Sequence, residues 1–189
     1  MKKPEYQNRN KRGASLAEML VTVLILSIAM TAVAGGASSS VRIYRQLRQK
    51  ANAQTLLSTQ INTLSGYLYD STVETEDLET TQDSQQQKVK SLYLENYGYF
   101  TFMNKAEADS GQFGIYQKQA SARDELENVG ATPTITGASQ PLKLYADLAE
   151  GAIYFSNGCY HFTVEVRSQD DQNNVIESQE VWIRSELMP

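Results

Sequence analysis

Glu18 is the only ionisable residue between Gly13 and Val41, in a run that is otherwise apolar, small or hydroxyl-bearing. A carboxylate at membrane depth costs about 2.5–3.5 kcal/mol on insertion scales, so it needs a cation to pair with or a task that repays burial. Lys11 and Arg12 stand directly before Gly13. Elsewhere the reactive residues are few. Cys159 and His161 are the only cysteine and histidine, and no intramolecular disulfide can form. They lie two apart in the alternating run "GCYHFTVEV" and so share one strand face, but no other His or Cys exists to complete a zinc-type site. The acidic stretch 70–88 does not have the spacing of a calcium loop. A Ser/His/Asp triad would have to use His161, which sits mid-strand beside apolar neighbours. No nucleophile elbow, phosphate loop or dinucleotide fingerprint occurs. These residues predict no enzyme, no cofactor and no metal site.

The element that must hold Glu18 is a helix. Met19 to Val41 are uncharged and would reach about 35 Å as a helix, against a hydrocarbon core of roughly 30 Å. Residues 1–13 carry Lys2, Lys3, Arg9, Lys11 and Arg12 against Glu5, while the chain as a whole has a net charge of −5. A basic head on an acidic body leaves no basic face for phosphates and argues against nucleic acid as a partner. The same asymmetry places residues 1–13 in the cytoplasm and the C-terminal part outside. A plain single-span anchor fits this pattern. So does a secretory signal cut after Ala34, where Ala32-Val33-Ala34 offers small residues, although Glu18 would then fall inside the apolar region.

A third reading accounts for Gly13 and Glu18 together. "RGASLAEML" resembles the processing motif of type IV prepilins and pseudopilins, in which a basic leader ends in Gly and the fifth mature residue is Glu. The resemblance implies cleavage by a prepilin peptidase between Gly13 and Ala14, N-methylation of Ala14, and an assembly role for Glu18 opposite the N-terminal cation of a neighbour. Ser15, Leu16 and Leu20 also suit the pattern. Ala14 departs from it, since the family more often has an aromatic residue or Met there. Having one cysteine, the chain also departs from the disulfide-bearing Gram-negative pilins, which points to a Gram-positive-type or other cysteine-poor system. The expected role is a minor pilin or pseudopilin, although the length suits a minor subunit as well as a major one.

The resemblance implies an α+β, pilin-like fold with a long N-terminal spine helix whose outer half packs on a C-terminal antiparallel sheet. The residues suggest the same layout. The expected organisation is a leader over 1–13, a membrane and filament-core helix over 14–37, its amphipathic continuation over 38–66, and a β-rich domain over 67–189. Val41, Tyr44, Leu47, Ala51, Leu57, Ile61, Leu64 and Leu68 are expected to form the buried stripe, with Gly66 as the stop. Residues 70–88 read as a mobile connection. "YHFTVEVRS" and "NVIESQEVWIRS" read as a final hairpin about "QDDQNN", with Phe162, Val164 and Val166 on one face. The expected function is a structural filament subunit held in the cytoplasmic membrane before assembly at the cell surface. Its expected partners are prepilin peptidase, other pilin subunits, the assembly platform and membrane lipid. The alternative is a membrane-anchored extracytoplasmic binding domain that does not polymerise.

Overall fold

The computed structural model describes residues 15–81, 86–108, 113–134 and 143–184. Helix α1 (Leu16–Tyr69) precedes ten strands: β1 (Leu78–Thr80), β2 (Gln87–Val89), β3 (Leu92–Leu94), β4 (Gly98–Met103), β5 (Tyr116–Ala120), β6 (Thr132–Pro133), β7 (Leu144–Leu148), β8 (Tyr154–Ser156), β9 (Cys159–Ser168) and β10 (Val175–Arg184). This is the α+β, pilin-like layout: one long apolar N-terminal helix, then an antiparallel β domain. The chain divides into two compact units, Met1–Gln46 and Leu47–Pro189, and α1 contributes to both.

In the first unit α1 runs through Gly35 and Gly36 without a break. Just beyond them the hydroxyls of Ser38, Ser39 and Ser40 donate to the carbonyls of Ala34, Gly35 and Gly36 at 2.9, 3.0 and 2.9 Å. Such back-bonding satisfies the hydroxyls within the helix and favours a slight bend.

In the second unit the strands form two antiparallel sheets rather than one. The larger has the order β1-β2-β8-β9-β10, with β7 also paired to β9; the smaller has the order β3-β4-β5-β6. β9 is long enough for β8 to pair with Cys159–His161 and β7 with Val164–Ser168 along one side, while β10 takes the other. The inward residues of β9, Tyr160, Phe162, Val164 and Val166, are buried. They share one core with Leu57, Leu64 and Leu68 of α1 and with Leu92, Phe100 and Phe102 of the smaller sheet. Gly98 starts β4 at φ +90, where a side chain would meet the Ala120 carbonyl oxygen at 2.5 Å, so only glycine fits.

Three expectations need correction. The buried face of α1 is Ala53, Leu57, Gln60, Leu64 and Leu68, whereas Val41, Tyr44, Leu47 and Ala51 are exposed because packing begins only at Ala53. The helix also continues past Gly66 to Tyr69, where Leu68 is fully buried and Tyr67 packs on the rings of Tyr97, Phe100 and Phe102. The described part of 70–88 is structured. Thr72 bridges to Tyr93, β1 and β2 pair, and buried Asp77 accepts hydrogen bonds from Ser91 Oγ at 2.5 Å and Arg123 Nε at 2.7 Å. Arg123 also binds Glu76 at 2.8 Å, so one guanidinium ties the loop after β5 to the segment before β1.

Candidate functional site

Of the residues singled out for processing and assembly, Glu18 lies at the N-terminal end of α1. Gly13 and Ala14 lie outside the described residues. Glu18 stands in the first turn, three residues after Ser15, the cap residue. The Ser15 N–H donates to Glu18 Oε2 at 2.9 Å, and the Glu18 N–H donates to Ser15 Oγ at 3.2 Å. The Ser15 carbonyl accepts the first helical bond, from Met19 N–H at 3.1 Å. This reciprocal arrangement is a capping box, in which side chains satisfy donors that the first turn leaves unpaired. A carboxylate there is also favoured by the positive end of the helix dipole. Ser15 fitted the processing pattern, but its capping role was not read from the sequence, though Ser-x-x-Glu before an apolar run carries that signal.

Beyond the cap the helix is built to sit in hydrocarbon. Leu20, Leu24, Ile28 and Met30 are exposed, and no residue from Leu16 to Arg48 is buried among the described residues. Thr22, Ser27 and Thr31 donate their hydroxyls to the carbonyls of Glu18, Val23 and Ser27 at 2.7, 2.7 and 3.0 Å. No hydroxyl is therefore left seeking water in a medium that has none. α1 is long and apolar enough to cross a membrane.

The β domain offers no second reactive constellation among the described residues. His161 stacks between Tyr154 and Trp182, at ring separations of 5.3 and 4.4 Å, and its pKa is lowered by burial against the opposing pull of Glu180 and Glu150. Cys159 is a half-buried free thiol. No group of three His, Cys, Asp or Glu side chains is placed to hold a metal among the described residues.

Asp147 is the most perturbed carboxyl. It faces Glu165 across the β7–β9 pair, and burial, aided by Glu165, raises its pKa to about 6; the Leu148 N–H, Arg167 and Lys105 oppose the rise. A folded pKa above the unfolded one means that the charged form opposes folding, so stability rises as pH falls through 6 and levels off below about 4. The full shift corresponds to about 3 kcal/mol, and solvent screening at this partly exposed position reduces it to about 1–2. Asp147→Asn is therefore expected to stabilise the protein by about 1–2 kcal/mol at pH 7 and to leave it unchanged at pH 4. Denaturant unfolding of the full chain in neutral-detergent micelles at the two pH values measures this, and equal stability at pH 7 would refute it.

Residues 8–34 match the prokaryotic N-terminal methylation motif. No curated protein and no solved structure matches the chain. The matched stretch contains Gly13, Ala14 and Glu18 together with the exposed apolar part of α1, and it supports a type IV pilin-like precursor that is membrane-anchored by its N-terminal helix.

Proposed function

We propose that this chain is a minor pilin or pseudopilin: a structural subunit, not an enzyme. Prepilin peptidase cuts between Gly13 and Ala14 and methylates the new terminus. The product waits in the cytoplasmic membrane with its β domain outside, then joins or primes a surface filament through other pilin subunits and the assembly platform. The observation that carries this reading is the coincidence of the methylation-motif match with a helix whose first 33 residues are uncovered by any described part of the chain. Within the bilayer, lipid covers that surface; in a filament, neighbouring subunits would. Glu18 has two carboxylate oxygens and the cap uses one. The second is open to the α-ammonium of a neighbour, a pairing that fixes register more than it adds stability. Methylation leaves that amine charged.

The capping box also favours a second reading. Glu18 already has a partner within its own helix. A plain anchor with a well-capped start is then a sufficient description, and the β domain would be a tethered binding module. Mass spectrometry of the mature N-terminus, in membrane and sheared-surface fractions of the native host, separates the two. The expected result is a chain beginning at N-methylated Ala14 in both fractions. An uncut chain confined to the membrane supports the anchor, and a chain beginning at Gly35 means a secreted protein.

A further inference from the structure

β10 closes the larger sheet at an edge. It pairs with β9 from Val175 to Arg184, and no described strand lies on its other side. Natural edges are blunted by bulges, inward charges, Pro or Lys, because unpaired backbone groups recruit other strands. The bulge and the inward charge are confined to the start of β10, and the later stretch is guarded only by the exposed charges of Glu180 and Arg184. The register shifts between Val175 and Glu177, and half-buried Glu177 pairs with Lys50 at 3.4 Å. From Ser178 to Arg184 the register is regular, with neither Pro nor Lys.

The side chains on this stretch specify more than a bare backbone. Glu180 and Trp182 lie opposite Thr163 and His161, on the face away from the core. One face of the Trp182 indole stacks on His161 at 4.4 Å, and its N–H is held by Glu180 Oε1 at 3.0 Å. The ring is thus fixed, while the residue remains 54% exposed. Since His161 is on β9, the other indole face is turned to where a further strand would lie. A fixed indole face beside a carboxylate attracts a guanidinium or ammonium group. The wider field agrees, because residues 49–189 carry nine Lys and Arg against twenty Asp and Glu.

We infer that the Ser178–Arg184 edge accepts an extended basic segment of another polypeptide as an added strand, with one of its Arg or Lys side chains over Trp182 and beside Glu180. Backbone bonds give the attachment and the indole–carboxylate pair gives the selection. Arg184 repels a cation at the end of the edge and so helps to set the register. A second copy of β10 is a poorer occupant: paired antiparallel on the same face, it would bring its own Glu180 towards this one. The inference does not depend on filament assembly.

Trp182 is the only tryptophan, so indole emission reports this edge alone. The full chain in neutral-detergent micelles is titrated with a capped peptide alternating Arg and Thr. Two control peptides have Pro in place of each Thr, or Glu in place of each Arg. The expected result is a saturable change in emission with the first peptide and affinity at least about tenfold weaker for both controls. Glu180→Gln should weaken the first peptide by about three- to tenfold. An equal response to the Pro peptide would reduce the effect to charge alone. No response to the first peptide, or self-association abolished by Trp182→Ala, would also overturn the inference. The Pro control is run on the unsubstituted protein, so the test survives a variant that fails to fold.

Discussion

Glu18→Leu is expected to leave the chain in the membrane and lower its amount in sheared filaments by at least about tenfold. Leucine removes the insertion penalty, so anchoring is kept or improved. What is lost is a carboxylate that can face a neighbour's α-ammonium. A pair about 4 Å apart is worth about 4 kcal/mol at an effective dielectric of 20 before desolvation is subtracted. A surplus of only ~1.4 kcal/mol per subunit already changes the addition equilibrium tenfold. The capping box introduces a second role, and two further variants separate it. Glu18→Gln keeps a side chain able to cap the helix but removes the charge. Ser15→Ala removes half of the cap, at about 1 kcal/mol, and keeps the charge. Assembly by pairing predicts that the Gln variant is lost from filaments and the Ala variant largely retained. The opposite pattern, measured by immunoblot of sheared and membrane fractions, would assign Glu18 to capping and withdraw the pairing.

Phe100→Ala is expected to destabilise the β domain by about 3–5 kcal/mol, a large share of the stability of a domain this size. Phe100 is fully buried in β4, with ring centroids of Tyr67, Tyr97 and Phe102 between 5.6 and 5.7 Å away. It joins the end of α1 to the smaller sheet, and the four rings contribute edge and tilted contacts beyond their buried area. The cavity left behind cannot collapse easily between a helix and a sheet. Denaturant unfolding followed by tyrosine absorbance measures the loss. A cost below about 1 kcal/mol would mean that the smaller sheet packs without this ring.

The parts of this fold legible in the sequence are those with a strong local period. β9 and β10 were readable because Phe162, Val164 and Val166 alternate cleanly and the intervening Asp and Asn residues turn the chain. The second sheet was not, because the end of β2 and all of β3 fall in one continuous run, "VKSLYLEN", and Lys90-Ser91 gives no sign that the chain changes sheets there. The register of the α1 stripe misled for a similar reason. Val41, Tyr44 and Leu47 are as apolar as core residues, and periodicity cannot tell a surface covered by this chain from one covered by something else. Asp77 illustrates a further limit: its burial rests on Arg123, 46 positions away, and composition alone made that segment look like a solvated loop. In the candidate site Glu18 was legible by its isolation, whereas the reciprocal bond to Ser15 needed the helix start to be located within one residue.

The placement of β9 sets an order of events for the emerging chain. Tyr160 Oη donates to the Ser71 carbonyl, a link between residues 89 positions apart, and Tyr160 and Phe162 complete the core that covers the inner face of α1. That face is synthesised well before its cover, which comes nearly last. Pairing between such distant segments is slow to form. Until the last sixth of the polypeptide arrives, Leu57, Leu64 and Leu68 have no finished surface to meet, so a product that stops short of β9 retains its apolar N-terminal segment but exposes sticky helix to proteases and chaperones.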